Sequence, residues 1–460
     1  MNQTIVSKSA ATLIPHDILH DLFVLCTKNA IQSGEYYFPV VLSHVCSSWR
    51  ATALATPTIW SALYTSSSPN SDHTSARSRA YLERSQSMPV NAMVRVPQSP
   101  ITTEADPEFA LLASNANRIT TLGLACADMA QLPTLFRYFP VTMSVLDTFY
   151  IAVRTENPKE MEFSLRLTHD ASGRIPFRMP PVIDGTVRWS SWATGNITYL
   201  CMNGLTGAVR PSMEAMQHIL EGCKCTLETF EFKGWAPEWD DPNGILEPVV
   251  LPMLTQLDFL WMDDLSPLAG LIIAPTLASL NLQNGVLMAA PYPAEDGVGL
   301  NGCDMPRLLA YLGRSCATLV HLYLYCVRDC PRSAVDAFFA GMPTLNMLIL
   351  CAVGDTFQDA LLQPDHRFRV PREAVFPQLE HLSVTEVPAT DLARFVFRHK
   401  TLGVSALRTL YLTADQEFAA YEPERTILGM VLDVCVAENE LQLICMQTPE
   451  HRRSDPESQE

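Results

Sequence analysis

Positive charge is scarce in this chain. It carries 32 Lys and Arg against 49 Asp and Glu, a formal net charge of −17. No Lys/Arg run of the kind that grips a phosphate backbone is present. Nucleic acid and anionic membrane surfaces are therefore not expected as main partners. Long apolar runs are missing too: the longest, around 251–261 and 268–273, are broken up by Asp, Gln and Pro. No membrane association is expected. The first eleven residues lack the apolar core of a secretory leader, so the expected compartment is the cytoplasm, the nucleus or both. In a reducing compartment the 13 Cys are expected to be unpaired and mostly buried, acting as small apolar residues.

Signatures of chemistry are thin as well. Neither H-E-x-x-H nor G-x-S-x-G occurs. The thiol pairs Cys223/Cys225 and Cys326/Cys330 have no second pair in zinc-binding register. Gly297-Val298-Gly299-Leu300-Asn301-Gly302 formally matches a dinucleotide fingerprint. That motif needs a buried strand directly before it, whereas two prolines and two carboxylates (Pro291, Pro293, Glu295, Asp296) precede it here. It reads as a loop. No catalytic residue, metal ligand or cofactor is assigned, and the chain is not expected to be an enzyme. An enzyme with a site assembled on loops is the lesser alternative.

What the chain does contain is 48% apolar and only 18% charged residues over a length of 460, a folded composition too long for one compact core. Near the start, Pro15 suits a helix beginning, and Ile18, Leu19, Leu22 and Phe23 recur at helical spacing as one apolar face. Leu42, Val45, Cys46 and Trp49 repeat that spacing, and Pro57 limits how far that second helix runs. Two short helices of this kind need each other, a third helix or a partner to cover them.

The pieces Leu13-x-Pro15-x-x-Ile18-Leu19-x-x-Leu22-Phe23 and Val45-Cys46-x-x-Trp49-Arg50 resemble an F-box, over about fifty residues. The segment Cys26 to Phe38 between them is longer than the usual connection. The resemblance implies docking onto the small adaptor subunit of an SCF-type, cullin-based ubiquitin ligase. It implies adaptor contacts drawn from Leu13, Pro15, Ile18, Leu22, Val45, Cys46 and Trp49, some of which must instead hold the module together. The alternative is a small helical cap on the rest of the chain.

Past residue 63, a Ser/Thr/Asn/Pro-rich stretch to Ala76 reads as a loop, Ala76–Ser87 as a helix and Val90–Val96 as a strand. A six-residue template then recurs: apolar, two others, apolar, one other, apolar. It starts at Ile119, Leu146, Ile197, Leu227, Leu254, Leu277, Leu319, Leu345, Leu379 and Leu407. Most intervals are 23 to 34 residues; one is 42 and another is 51, room for a degenerate repeat near Phe163–Leu167. Helices capped by Ser212 and Asp304, and one stopped at Gly341, sit between the strands. Two more are expected at 392–399 and 424–435, and a last strand at 441–445.

This alternation resembles a leucine-rich repeat solenoid, in which each unit leaves an apolar face that only its neighbours cover. The alternative is a doubly wound α/β domain. The fold expected is α/β: an F-box-like helical domain (10–63), a linker with a helix (64–84), an irregular leucine-rich repeat solenoid (85–446) and a disordered tail (447–460). Side chains between the apolar template positions point to the opposite face of each strand. They are Tyr150, Tyr199, Glu231, Asp258, Asn281, His321, Tyr323, Tyr325, His381 and Tyr411. Tyrosine suits protein interfaces, and it is equally a good strand former. The function expected is a substrate-recognition subunit whose repeats hold an unknown protein target. The alternative is a repeat scaffold that engages no ligase.

Overall fold

The computed structural model describes residues 14–66, 72–96, 107–126, 142–143, 145–153, 163–169, 177–178, 182–183, 186–187, 189, 192, 194–205, 210–234, 236–238, 246–261, 264–284, 303–327, 330–362, 376–385, 392, 395–396, 407–413 and 442–446. Leu13, the Gly297–Gly302 loop, the tail and the expected helix at 424–435 lie outside them, as does most of that at 392–399. The chain divides into two compact units, Met1–Val209 and Arg210–Glu460. Both are α/β, and the sheet strands are mostly parallel. Among the described residues no helix is long and apolar enough to cross a membrane.

The first unit opens with helices α1 (His16–Gln32), α2 (Phe38–Val45) and α3 (Ser47–Leu54), then a 3-10 turn at Pro57–Trp60. Pro15 stands just before α1, and its carbonyl accepts the first helical bond from Leu19 N at 3.0 Å. The single helix expected through Val45 and Trp49 is two helices. Cys46 is extended at φ −158°, ψ 172°, and its Sγ accepts from Trp49 N at 3.4 Å. Ser47 and Ser48 follow, residues that compete with helical backbone bonds in an interior and suit a first turn. The long segment between the two motif pieces is mostly α1 itself. That helix continues to Gln32 and turns at Gly34, whose φ of +81° is the left-handed conformation glycine tolerates.

Strand β1 (Ala62–Ser66) comes next, where the sequence reads as a loop. Leu63 and Thr65 are buried and Tyr64 between them is not, a strand alternation that the polar residues after it conceal. Helix α4 (Asp72–Arg84) carries the chain to β2 (Val90–Arg95), parallel to β1. Then come α5 (Pro107–Ser114), β3 (Ile119–Cys126), β4 (Thr148–Val153), β5 (Phe163–His169) and β6 (Ile197–Leu205), neighbouring in that order. The suspected degenerate repeat is strand β5, but it runs antiparallel to both β4 and β6. Residues 154–162 are too few for a parallel crossover, which takes about a dozen or more.

The second unit holds α6 (Met213–Cys223), β7 (Thr229–Gly234), β8 (Gln256–Trp261), α7 (Ser266–Gly270), β9 (Ser279–Asn284), α8 (Met305–Gly313) and β10 (His321–Tyr325). It continues with α9 (Arg332–Ala340), β11 (Met347–Cys351), α10 (Asp355–Leu362), β12 (His381–Val384), β13 (Thr409–Thr413) and β14 (Gln442–Met446). These eight strands of the main sheet are parallel and neighbour one another in chain order, and Val249–Val250 pairs with Ile272–Ile273 in a small separate sheet. Helices α7 to α10 pack side by side in a second layer.

Register explains the core. Phe230, Leu257, Leu280, Leu322, Leu348, Leu382 and Leu410 form one continuous cross-strand row. Phe232, Phe259, Leu282, Leu324, Leu350 and Val384 form the next, and every member of both rows is buried. Ser212 Oγ accepts from Ala215 N at 3.2 Å and Asp304 Oδ1 from Arg307 N at 3.1 Å, capping α6 and α8. The residue just before the template also has a role. Thr276, Thr318 and Thr344 each donate a hydroxyl to carbonyls of the preceding unit, those of Leu254, Leu277 and Leu319 among them.

Removing one rung should be costly because its neighbours cannot collapse into the gap. Leu348→Ala is expected to destabilise the chain by about 2–5 kcal/mol, read as a lower urea midpoint. Ser212→Ala, which removes only a cap, should cost about 1 kcal/mol.

Candidate interaction surfaces

The helical start of the first unit divides its apolar residues between two tasks. Leu19, Phe23 and Ala30 of α1 are buried, with Leu42 of α2 and Ala53 of α3. Phe23 meets Trp49 edge to face at 5.1 Å. His16 Nδ1 lies 2.7 Å from Thr52 Oγ1, and Arg50 Nε donates to the Ser43 carbonyl at 2.9 Å, so all three helices are tied together. Behind them, Trp60 donates its Nε1 proton to Ala53 O at 2.7 Å and packs edge-on against Tyr81 at 5.1 Å. The Arg84 guanidinium lies over the Trp60 ring at 4.5 Å. Burial pushes the Tyr81 hydroxyl up to about 12, so it stays protonated and donates to Tyr36 O at 3.0 Å.

Other apolar side chains of these helices face outward. Ile18 is 51% exposed, Leu22 42% and Val45 52%. The expected single face of α1 is thus split: Leu19 and Phe23 turn in, Ile18 and Leu22 turn out. Pro15 is exposed as well. Cys46 and Trp49 are half-buried and engaged in the cap and the Phe23 contact, which makes them internal struts. Sequence reasoning missed Leu25 and Val41, both exposed. Their signal was spacing: Leu25 lies seven residues after Ile18, and Val41 lies one turn before Val45.

The second surface is the outward face of the second unit's sheet. Between the buried rows, Glu231, Asp258, Asn281, Tyr323, Ile349, Ser383 and Tyr411 succeed one another in register. A flanking row runs His321, Met347, His381, and Tyr325 lies beside Gln283 and Cys351. All the expected residues of this unit are half-buried, and the fold does bring them together. Lys233 Nζ sits 2.6 Å from Glu231 Oε2, and Gln256 Nε2 donates to Asp258 Oδ2 at 2.9 Å. Burial first, and the Glu231 charge further, raise the Asp258 carboxyl above its ordinary range. Tyr323 is raised by burial and then by Asp258 and Tyr411, and its hydroxyl donates to Met347 Sδ at 3.3 Å.

Tyr150 and Tyr199 belong to the first unit. Tyr150 stands in register with Gly123 and Arg166, and the Arg166 guanidinium lies 5.4 Å from the Tyr199 ring centre. Among the described residues, no three His, Cys, Asp or Glu side chains gather as a metal site would require. Burial lifts the thiols of Cys223, Cys303 and Cys316 to about 12, so they are not thiolates.

Neither a family model nor a curated protein matches the chain. Its function is therefore argued from these two surfaces.

A carboxyl raised by burial stabilises the fold only while it is protonated, and that contribution is lost as pH rises from the ordinary range through its folded value. Asp258→Asn is thus expected to raise the thermal midpoint at neutral pH. The gain should shrink toward zero as pH falls below the ordinary aspartate value of 3.8. A pH series of melts checks this.

Proposed function

We propose that the chain is a substrate-recruiting subunit of an SCF-type, cullin-based ubiquitin ligase. In this reading α1 to α3 form an F-box-like module that docks the adaptor, and the parallel strands form a leucine-rich repeat solenoid that holds a target protein. The chain supplies proximity and orientation and makes or breaks no bond itself. Its place of work is the cytoplasm, the nucleus or both.

One observation carries this reading. The outward apolar set on the helices includes Ile18, Leu22 and Val45, three of the positions that the F-box resemblance assigns to adaptor contact. A helical cap that served only its own chain would have no use for such a face. Covering the exposed half of each of these side chains contributes on the order of 1 kcal/mol, so several together drive docking. The solenoid part of the reading is supported by strands that neighbour each other in chain order with unbroken apolar rows.

The experiment is retention of purified adaptor subunit by the full chain. Wild type should retain it. Ile18→Glu with Leu22→Glu should abolish retention without changing the circular dichroism, because both residues are exposed. Phe23→Ala, by contrast, should lower stability by about 3–5 kcal/mol. If the wild-type chain retains no adaptor, the ligase reading fails and the scaffold reading takes its place.

A further inference from the structure

The outward face of the second unit carries two neighbouring carboxylates at one end of its central row, Glu231 and Asp258. Asp258 stands between Glu231 and Asn281 in register, with Tyr323 next after Asn281. The Lys233 ammonium, beside this strip, is held against Glu231. Among the described residues Asp258 receives a single side-chain hydrogen bond, from the neutral amide of Gln256. Two atoms of the same row are buried and have no hydrogen-bond partner among the described residues: Asn281 Oδ1 and Ser383 Oγ. Ser383 is only 1% exposed although it lies on the outward side of its strand. His381 Nδ1, in the flanking row, is in the same condition.

A buried oxygen without a hydrogen bond costs the fold free energy, which an incoming donor recovers. The set here is two carboxylates, an amide oxygen and neighbouring tyrosine rings. A guanidinium satisfies each: it has five N–H donors and no acceptor, pairs with carboxylates, and sits well against aromatic rings. It is also more weakly hydrated than an ammonium and so enters a half-buried site at less cost. An acidic or phosphorylated segment would meet Asp258 and Glu231 as like charges and find the Lys233 ammonium engaged. The formal charge of −17 adds long-range attraction for a basic partner.

We infer that this face binds a basic segment of the target protein, with an arginine side chain anchored at Asp258, Asn281 and Tyr323. The inference rests on the proposed target-holding role of the sheet. It names the chemistry of the target.

The test is selection from a random displayed-peptide library on the purified full chain, with a phosphoserine-containing library in parallel. Arginine should be over-represented among the peptides that wild type retains. Their affinity should fall about tenfold or more on Asp258→Asn, as expected when a charged pair loses one partner. Asn281→Leu should weaken the same peptides while leaving the thermal midpoint unchanged or higher, because the lost amide oxygen had no partner. Selection of acidic or phosphorylated peptides, selection of none, or binding by both variants as tight as by wild type would overturn the inference. So would a fall in the melting temperature of both variants, which would make the two residues internal props. Adaptor retention separates this result from the ligase reading. Arginine selection without adaptor retention sinks only the ligase, and adaptor retention without arginine selection sinks only the basic target.

Discussion

Lateral coverage of the apolar rows is the constraint on which the rest of the second unit depends. A strand such as His321–Tyr325 presents only Leu322 and Leu324 to the interior, and both are wholly buried. Alone they would be half in water. They become core because Leu280 and Leu282 lie on one side in register, and Leu348 and Leu350 on the other. Backbone bonding repeats with the same regularity. One carbonyl per strand start, such as Ala278 O or Val320 O, accepts from two successive amides of the next strand. A one-residue slip would turn every leucine outward and every polar residue inward, so register is fixed by burial as much as by hydrogen bonds.

That constraint also determines what kind of surface is left. Once one face of each strand is committed to leucine, the other face is free in composition, and its side chains stand in rows of close neighbours. Placing Glu231 next to Asp258, and Asp258 next to Asn281, is unfavourable for the isolated chain. The Asp258 carboxyl is shifted toward its neutral form, and an amide oxygen is left without a bond. Nothing in the core requires this arrangement, since the rows beneath would pack as well under Thr or Val. Cost without a structural return is what the proposed target-holding role would leave on this face.

The strands were legible because their signal is local. Three apolar positions in six residues, with Ser212 or Asp304 opening a helix and Gly341 ending one, specify element type without knowledge of the fold. Less legible were features set by partners distant in sequence. The split of α1 depends on where Trp49 and Phe23 meet, which spacing along α1 alone does not reveal. The break at Cys46 turns on a thiol accepting a backbone proton, a weak capping signal beside Ser or Asp. The direction of strand β5 was hidden because alternation reads the same in either sense, and only the shortness of 154–162 argues for antiparallel. Gly123 shows the same limit. In this packing the Met93 sulfur from the adjacent strand occupies the space a Cβ would take, so the neighbour of this position is a side chain thirty residues earlier.

The two candidate surfaces differ in kind, and the difference bears on how they could work together in one chain. The helical face is apolar, so covering it is driven by area and depends little on salt or pH. The sheet face carries two neighbouring carboxylates, so its occupancy depends on the sign of its partner and weakens as salt screens Asp258 and Glu231. The proposed recruiting role would call for such a division. The attachment to a constant partner should hold under all conditions, whereas the hold on a changing target should be selective and reversible. Ile18, Leu22 and Val45 are suited to the first requirement, and Asp258, Asn281 and Tyr323 to the second. The two sets lie in separate compact units.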